Sequence, residues 1–144
     1  MSKNVSIEFK EVPRFKAGSE EALEYLDEEG FVVFANVLDS IQTDKALSLM
    51  WDYLEELGTG IDRNDKDTWF DKYWPTAVHG GILPSYGVGH SKMQWYVRDV
   101  DDVKTCFASI WDTDDLLTSF DGITIWRPWT YQEEWKTKQN KERY

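Results

Sequence analysis

The clearest pattern along the chain is a helical spacing of apolar side chains between Ser40 and Leu57. The apolar positions recur every three or four residues, as they do on one face of an α-helix. They are Leu47, Met50, Trp51, Leu54 and Leu57. Gly58 follows and ends the helix, because glycine readily adopts the left-handed conformation of a helix C-cap. The pattern predicts a long helix whose apolar face lies in the core.

Three shorter helices are predicted on either side of it. One begins at the N-cap Ser19 and ends at Gly30, and another begins at the N-cap Ser91 and runs through Arg98. A third begins at Asp101 or the residue after it, and we expect its apolar face to be half-buried. That face consists of Val103, Phe107, Ile110 and Trp111.

Short apolar runs predict strands. Residues 31–34 are aromatic and β-branched, which favours a buried strand. Residues 116–120 and 123–127 flank an Asp-Gly pair, which is a strong signal for a β-hairpin. Side chains alternate between the two faces of a strand. The second hairpin strand therefore has Ile123, Ile125 and Arg127 on one face and Thr124 and Trp126 on the other.

The remaining segments lack a sustained period. Residues 1–18 are predicted to be a lead-in arm with at most one short strand near residues 5–9, and residues 129–144 a polar tail. Residues 19–128 form the domain proper. Within it, residues 59–89 form a long loop with scattered aromatic rings, and such loops are commonly functional. Trp69, Trp74 and Tyr86 are the candidate contacts for a ligand or partner.

Charge and length narrow the class of protein. The 144 residues suffice for one domain, and 16 basic against 27 acidic residues give a net charge of −11. Such a chain repels nucleic acid and anionic membrane surfaces, so neither is an expected partner. No apolar run is long enough to cross a bilayer, no signal peptide is recognisable, and Cys106 is the single cysteine. A cytoplasmic location is expected.

Few residues could hold a metal. Neither His79 nor His90 is followed two positions later by an acid, as the His-x-Asp/Glu pair of a facial triad requires. Residues 62–67 resemble a calcium loop, but Lys66 occupies a ligand position and Asp67 replaces the glycine. A solvated loop is the expected structure, and no metal site is predicted.

Two blocks of sequence nevertheless resemble a known family. The segment LDEEGFVVF at 26–34 followed by Val-Leu at 37–38, and GVGHS at 87–91 continuing through 94–98 and 110–122, are similar to the phytanoyl-CoA dioxygenase family. The resemblance covers roughly residues 22–128. It implies an α+β fold made of the N-terminal helices and first strands of a double-stranded β-helix, the jelly-roll or cupin-like barrel. It also implies Fe(II) and 2-oxoglutarate as cofactors and hydroxylation of a small-molecule substrate.

The family pattern continues beyond what this chain contains. In the family, a His-x-Asp pair, a distal His and an Arg for 2-oxoglutarate follow the strand that corresponds to residues 123–127, and none occurs before Tyr144. We therefore expect an N-terminal portion with an incomplete barrel, inactive alone and binding neither cofactor tightly. The resemblance implies that Ile123, Ile125 and Arg127 border the 2-oxoglutarate pocket, with ordinary sheet packing as the alternative.

Two other interpretations stay open. In the first, the chain is a non-catalytic module that binds a small molecule or a protein through the aromatic segment from Trp69 to Tyr86. In the second, the chain is a stable fold in which those rings are buried and bind nothing. An incomplete barrel would also expose the strand 123–127 as an edge, which favours self-association.

Overall fold

A computed structural model describes residues 11–75 and 82–127. They form two compact units, the first from residues 11–37 and 101–116, the second from the other described residues. The regular elements are α1 (Glu20–Glu29), α2 (Ser40–Glu56), β1 (Ile82–Leu83), α3 (Lys92–Arg98), α4 (Asp101–Trp111) and β2 (Ile123–Thr124), with 3-10 turns at Lys66–Thr68 and Val88–His90. The predicted strand near residues 5–9, His79 and the tail at 129–144 lie outside the described residues.

The first unit contains α1 at the predicted position. Ser19 is its N-cap residue, although its hydroxyl makes no capping hydrogen bond. Gly30 ends the helix with φ of 77°, and its N–H donates to the carbonyl of Leu26 at 2.9 Å. Ala22 is fully buried. The predicted helix is confirmed, with its C-terminal end set by the one residue type that adopts this φ without strain.

The strand predicted at 31–34 is wrong. Only an isolated parallel bridge joins Phe34 to Phe15, where the Phe15 N–H donates to Val33 O at 2.9 Å. The left-handed backbone of Asn36, with φ of 54°, then bends the chain out of register. Aromatic packing takes the place of a ladder: Tyr25 of α1 lies 5.1 Å from the Phe15 ring and 5.6 Å from Phe31.

Helix α4 begins at Asp101 as predicted, and Val103 and Ile110 of its predicted apolar face are half-buried. Cys106 is its buried residue, whereas Phe107 and Trp111 are 55% and 69% exposed. The expected half-burial is therefore wrong for those two rings. Gly18 lies close against this helix, since a Cβ there would lie 2.9 Å from Thr105 Cγ2. Burial raises the pKa of the Cys106 thiol, which favours its neutral, protonated form.

The second unit is built on α2. A capping box begins this helix: Gln42 N–H donates to Asp39 Oδ1 at 2.7 Å, and Asp39 N–H donates to Gln42 Oε1 at 2.9 Å. Leu54 packs with Ile61 and Leu83, and Leu54 and Leu83 have no exposed surface. Leu47 is 49% exposed, so its predicted place in the core is wrong. The core covers the C-terminal half of α2.

The strand pairing differs from the predicted hairpin. Strand β2 pairs antiparallel with β1, with Ile82 opposite Thr124 and Leu83 opposite Ile123, whereas residues 116–120 form no strand. Gly122 serves a close approach instead of a hairpin turn, because a Cβ there would lie 2.7 Å from Leu83 O. The Asp-Gly pair predicts local pairing, whereas the sheet uses a partner about forty residues away.

No helix among the described residues is both long and apolar enough to cross a membrane.

Two matched leucine substitutions test this core. We expect Leu54→Ala to lower the free energy of unfolding by about 2–5 kcal/mol, since it leaves a cavity at a fully buried site. Leu47→Ala makes the same chemical change on the same helix at a half-exposed site, and we expect it to cost less than about 1 kcal/mol. Urea unfolding followed by circular dichroism measures both. Equal losses would contradict the observed face of α2.

Candidate functional site

Three aromatic rings between residues 69 and 74 face the core of the second unit. Trp69 lies 4.9 Å from the Trp51 ring of α2, and its Nε1–H donates to Asp62 O at 2.8 Å. Trp69, Tyr73 and Trp74 all pack, partly buried, against the cluster of Leu54, Ile61 and Leu83. Two of the three rings predicted to contact a ligand therefore contribute to the core of the second unit.

Arg63 anchors the turn that precedes the aromatic segment to α2. Its Nε donates to Glu55 Oε1 at 3.0 Å, its Nη2 donates to Glu55 Oε2 at 2.6 Å, and the same Nη2 donates to Asp52 Oδ1 at 2.5 Å. The backbone N–H of Arg63 also donates to Glu55 Oε1 at 2.9 Å. The hydrogen bonds from Arg63 hold the pKa of Glu55 below its ordinary value.

The acidic residues at 62–67 organise a turn. Asn64 N–H donates to Asp62 Oδ1 at 2.8 Å, and Asp67 N–H donates to Asp65 Oδ1 at 3.0 Å. Thr68 Oγ1 donates to Asp65 O at 2.6 Å. Within 11–75 and 82–127, no group of three or more His, Cys, Asp or Glu side chains could hold a metal ion.

The alternation predicted for 123–127 is confirmed. Ile123 and Ile125 pack against the core, whereas Thr124 is exposed and Trp126 is 60% exposed. Arg127 lies on the covered face, and its side chain is 11% exposed. Strand pairing itself is limited to Ile123–Thr124.

Arg127 joins this strand to the aromatic segment. Its Nη1 donates to Trp69 O at 2.8 Å, its Nη2 donates to Asp71 Oδ1 at 2.5 Å, and its guanidinium lies 5.1 Å from the centre of the Trp74 ring. The structure thus brings together two sets of candidates that the sequence had left separate. Their contacts are those of a packed interior.

Tyr86 is placed differently. It is 52% exposed, has φ of 62°, and accepts a hydrogen bond at its carbonyl from the Tyr53 hydroxyl at 3.3 Å. Burial, and secondarily the neighbouring Tyr86, raises the pKa of Tyr53. Of the three predicted ligand contacts, Tyr86 is the most exposed.

A further cluster was missed by sequence reasoning. His90, Trp95 and Phe120 form a group of exposed rings, which we call the ring cluster. Arg98 lies beside it and donates to Gly89 O at 2.6 Å and Ser119 O at 2.8 Å. Gly89 permits this arrangement, because a Cβ there would clash with the carbonyl of Phe120. Nothing local in the sequence connects residues 90 and 120.

Comparison with known proteins gives two relatives. "Ava biosynthesis cluster protein O" of Aspergillus versicolor is 32% identical over 112 residues, which are 72% of this chain and 36% of that protein. "Putative phytanoyl-CoA dioxygenase" of Dictyostelium discoideum is 27% identical over 122 residues, which are 81% of this chain and 34% of that protein. No family model matches the chain, and no solved structure matches it.

These matches have two consequences. The chain is related in sequence to a phytanoyl-CoA dioxygenase-like protein, as the two blocks at 26–38 and 87–122 indicated. The chain also spans about a third of the length of the curated relatives it matches.

The Arg127 contacts generate a first prediction for this site. We expect Arg127→Gln to lower the free energy of unfolding by about 2 kcal/mol, because a largely buried charged donor is lost from Trp69 O. Asp71→Asn should cost less than about 1 kcal/mol, since the Asp71 side chain is 84% exposed and its ion pair is screened by solvent. Urea unfolding measures both. Equal losses would mean that the ion pair, and not the contact with the aromatic segment, is the stabilising element.

The Arg63 contacts generate a prediction about pH. Because the folded-state pKa of Glu55 is lowered, its contribution to stability is present above the unfolded carboxyl pKa of about 4.3 and is lost as the pH falls through the folded value. We expect the free energy of unfolding of Glu55→Gln to fall less steeply than that of the wild type as the pH drops below about 4.3. The effect should be no more than about 1 kcal/mol, since a third of the side chain is exposed.

Glu56→Gln is the matched control, because that side chain is 67% exposed and lies 3.8 Å from Lys92 Nζ. Thermal unfolding from pH 7 to pH 3 should show an unchanged profile for this variant. A flattened profile in Glu56→Gln, or an unchanged one in Glu55→Gln, would contradict the role assigned to Arg63.

Proposed function

We propose that this chain is the N-terminal portion of an Fe(II)- and 2-oxoglutarate-dependent oxygenase of the phytanoyl-CoA dioxygenase type, whose whole protein hydroxylates a small molecule. The observation that carries the proposal is the 27% identity over 81% of this chain with the Dictyostelium protein, together with coverage of only a third of that protein. The 32% identity with the Aspergillus protein, over a similar share of each chain, supports it.

The proposed fold of the whole protein is a double-stranded β-helix. The antiparallel pair of β1 and β2, packed on α2 through Leu83 and Ile123, supports this as the start of a sheet covered by helices on one side. Among the described residues, β2 has hydrogen-bonded partners only in β1. No strand of the described residues covers its other edge, and we propose that a further strand pairs there, from the rest of the whole protein or from a second copy of the chain.

The described residues do not fit a ferrous centre. A facial triad needs three converging ligands, usually two His and one carboxylate. The described part of the chain has one histidine, His90, whose ring stacks on Phe120 at 4.5 Å. No group of described His, Cys, Asp or Glu side chains is suited to a metal. We therefore derive no chemical step from these residues.

The face implied for 2-oxoglutarate is already occupied by protein contacts. Ile123 and Ile125 pack against Leu54 and Leu83, and the Arg127 guanidinium contacts Trp69 O and Asp71. In the proposed whole protein this face would support the cofactor pocket from beneath. In the 144-residue chain it would bind 2-oxoglutarate too weakly to detect, so we propose that this chain has no turnover by itself.

The alternative of a binding module rests on fewer rings than the sequence indicated. Trp69 and Trp74 are part-buried in the core, which leaves Tyr86 as the most exposed of the three predicted contacts. A partner surface built on residues 69–86 would need the two tryptophans to leave the core. The oxygenase proposal requires no such rearrangement.

Two measurements test the proposal. Anaerobic titration of the 144-residue chain with Fe(II) and 2-oxoglutarate should give no saturable charge-transfer absorption, and His90→Ala should behave identically because His90 is not a ligand. A saturable band that disappears in His90→Ala would overturn the proposed inactivity.

Intact mass spectrometry of the endogenous protein should show a species well above the 16.9 kDa of this chain. A species at 16.9 kDa would overturn the proposal that the chain is a portion of a longer enzyme.

A further inference from the structure

We propose that the ring cluster and Arg98 form a binding site for a planar aromatic carboxylate. The site lies at the surface of the second unit, and none of its four side chains belongs to the face of β2 discussed above. It is therefore independent of the proposed oxygenase function and of the cofactors that function would need.

The three rings are close together and open to solvent. His90 stacks on Phe120 with centroids 4.5 Å apart and planes inclined by 21°, and Trp95 lies 5.5 Å from Phe120 and 6.3 Å from His90. His90 is exposed, Trp95 is 47% exposed and Phe120 is 52% exposed. Rings at these separations offer further faces and edges for an incoming aromatic group.

Arg98 supplies a positive charge beside these rings. Its guanidinium carbon lies 5.7 Å from the Trp95 ring and 5.6 Å from the Phe120 ring. Two of its N–H groups donate to the carbonyls of Gly89 and Ser119, and no carboxylate among the described residues pairs with it. A guanidinium has five N–H groups, so three are left for a ligand. In a chain of net charge −11, this is a cation set among exposed rings.

The combination selects one class of ligand. A guanidinium beside the rings repels a cationic ligand and pairs with a carboxylate in a fixed planar geometry. The rings attract a planar apolar group. A neutral aromatic molecule would lack the ion pair, and a small aliphatic anion would lack the stacking. An aromatic carboxylate satisfies both parts.

The site is also held in place before any ligand arrives. The two carbonyl hydrogen bonds of Arg98 connect the turn at Val88–His90 with residue 119, and Gly89 packs directly against the Phe120 backbone. Ser91 Oγ accepts the Gln94 N–H at 3.3 Å and so caps α3, which carries Trp95 and Arg98. Little conformational freedom has to be lost on binding, which favours recognition on an open surface.

Three probes separate the two parts of the proposed recognition. The 15N-labelled chain would be titrated with benzoate, benzamide and acetate, and the Trp95 indole N–H followed by NMR. We expect saturable shifts with benzoate in the low millimolar range, about fivefold weaker binding of benzamide, and no saturable shift with acetate. Equal binding of benzoate and benzamide would overturn the role of Arg98.

Two tryptophan variants locate the site. In Trp95→Ala, we expect the benzoate shifts at His90 and Phe120 to be lost. Trp111→Ala is the matched control, because Trp111 is 69% exposed on α4 and has no ring contact among the described residues, and it should bind benzoate like the wild type. Shifts that persist in Trp95→Ala, or that disappear equally in Trp111→Ala, would overturn the proposed site. The probe series on the unmodified chain decides the question even if a variant does not fold.

Discussion

The contact of the C-terminal half of α2 with Ile61 and Leu83 is the constraint on which the second unit depends. Leu54 and Leu83 have no exposed surface, and the aromatic segment, β1 and β2 all pack around them. Few residues of this unit are buried to that degree. Partly buried rings complete the core, and the segment between α2 and β1 that carries three of them has no regular structure beyond one 3-10 turn in its described residues. Additional interactions are needed to hold the irregular segments in place.

Three arginines supply such interactions. Arg98 and Arg127 donate to backbone carbonyls of irregular segments, at Gly89 and Ser119 and at Trp69, whereas Arg63 binds the Glu55 and Asp52 carboxylates of α2. Segments without helix or strand pairing leave carbonyl groups that must find other donors. The guanidinium meets this need because it has several N–H groups and stays charged. The difference between the three arginines lies in their counterions: Arg63 and Arg127 pair with carboxylates, whereas Arg98 pairs with none in residues 11–75 and 82–127.

The helices could be predicted from the sequence because their determinants are local. The capping box at Asp39, the N-cap at Ser91 and the left-handed C-cap at Gly30 are all decided within four residues. The strands could not, because β2 pairs with β1 across about forty residues, and the Asp-Gly signal of a hairpin is equally compatible with the close approach seen at Gly122. A short stretch of sequence does not show which distant strand it pairs with.

The same distinction applies to the candidate sites. Alternation correctly placed Ile123, Ile125 and Arg127 on one face, but it could not show that Trp69 and Trp74 would cover that face. The ring cluster joins residues 90, 95 and 120, which no periodicity relates. The side-chain clusters among the described residues consist of aromatic rings and guanidinium groups. A ferrous centre instead needs imidazoles and a carboxylate that point at one metal ion. The proposed place of this chain in an oxygenase is therefore structural support, since the matched residues make up only 36% and 34% of the two relatives and the rest of each leaves room for the ligands.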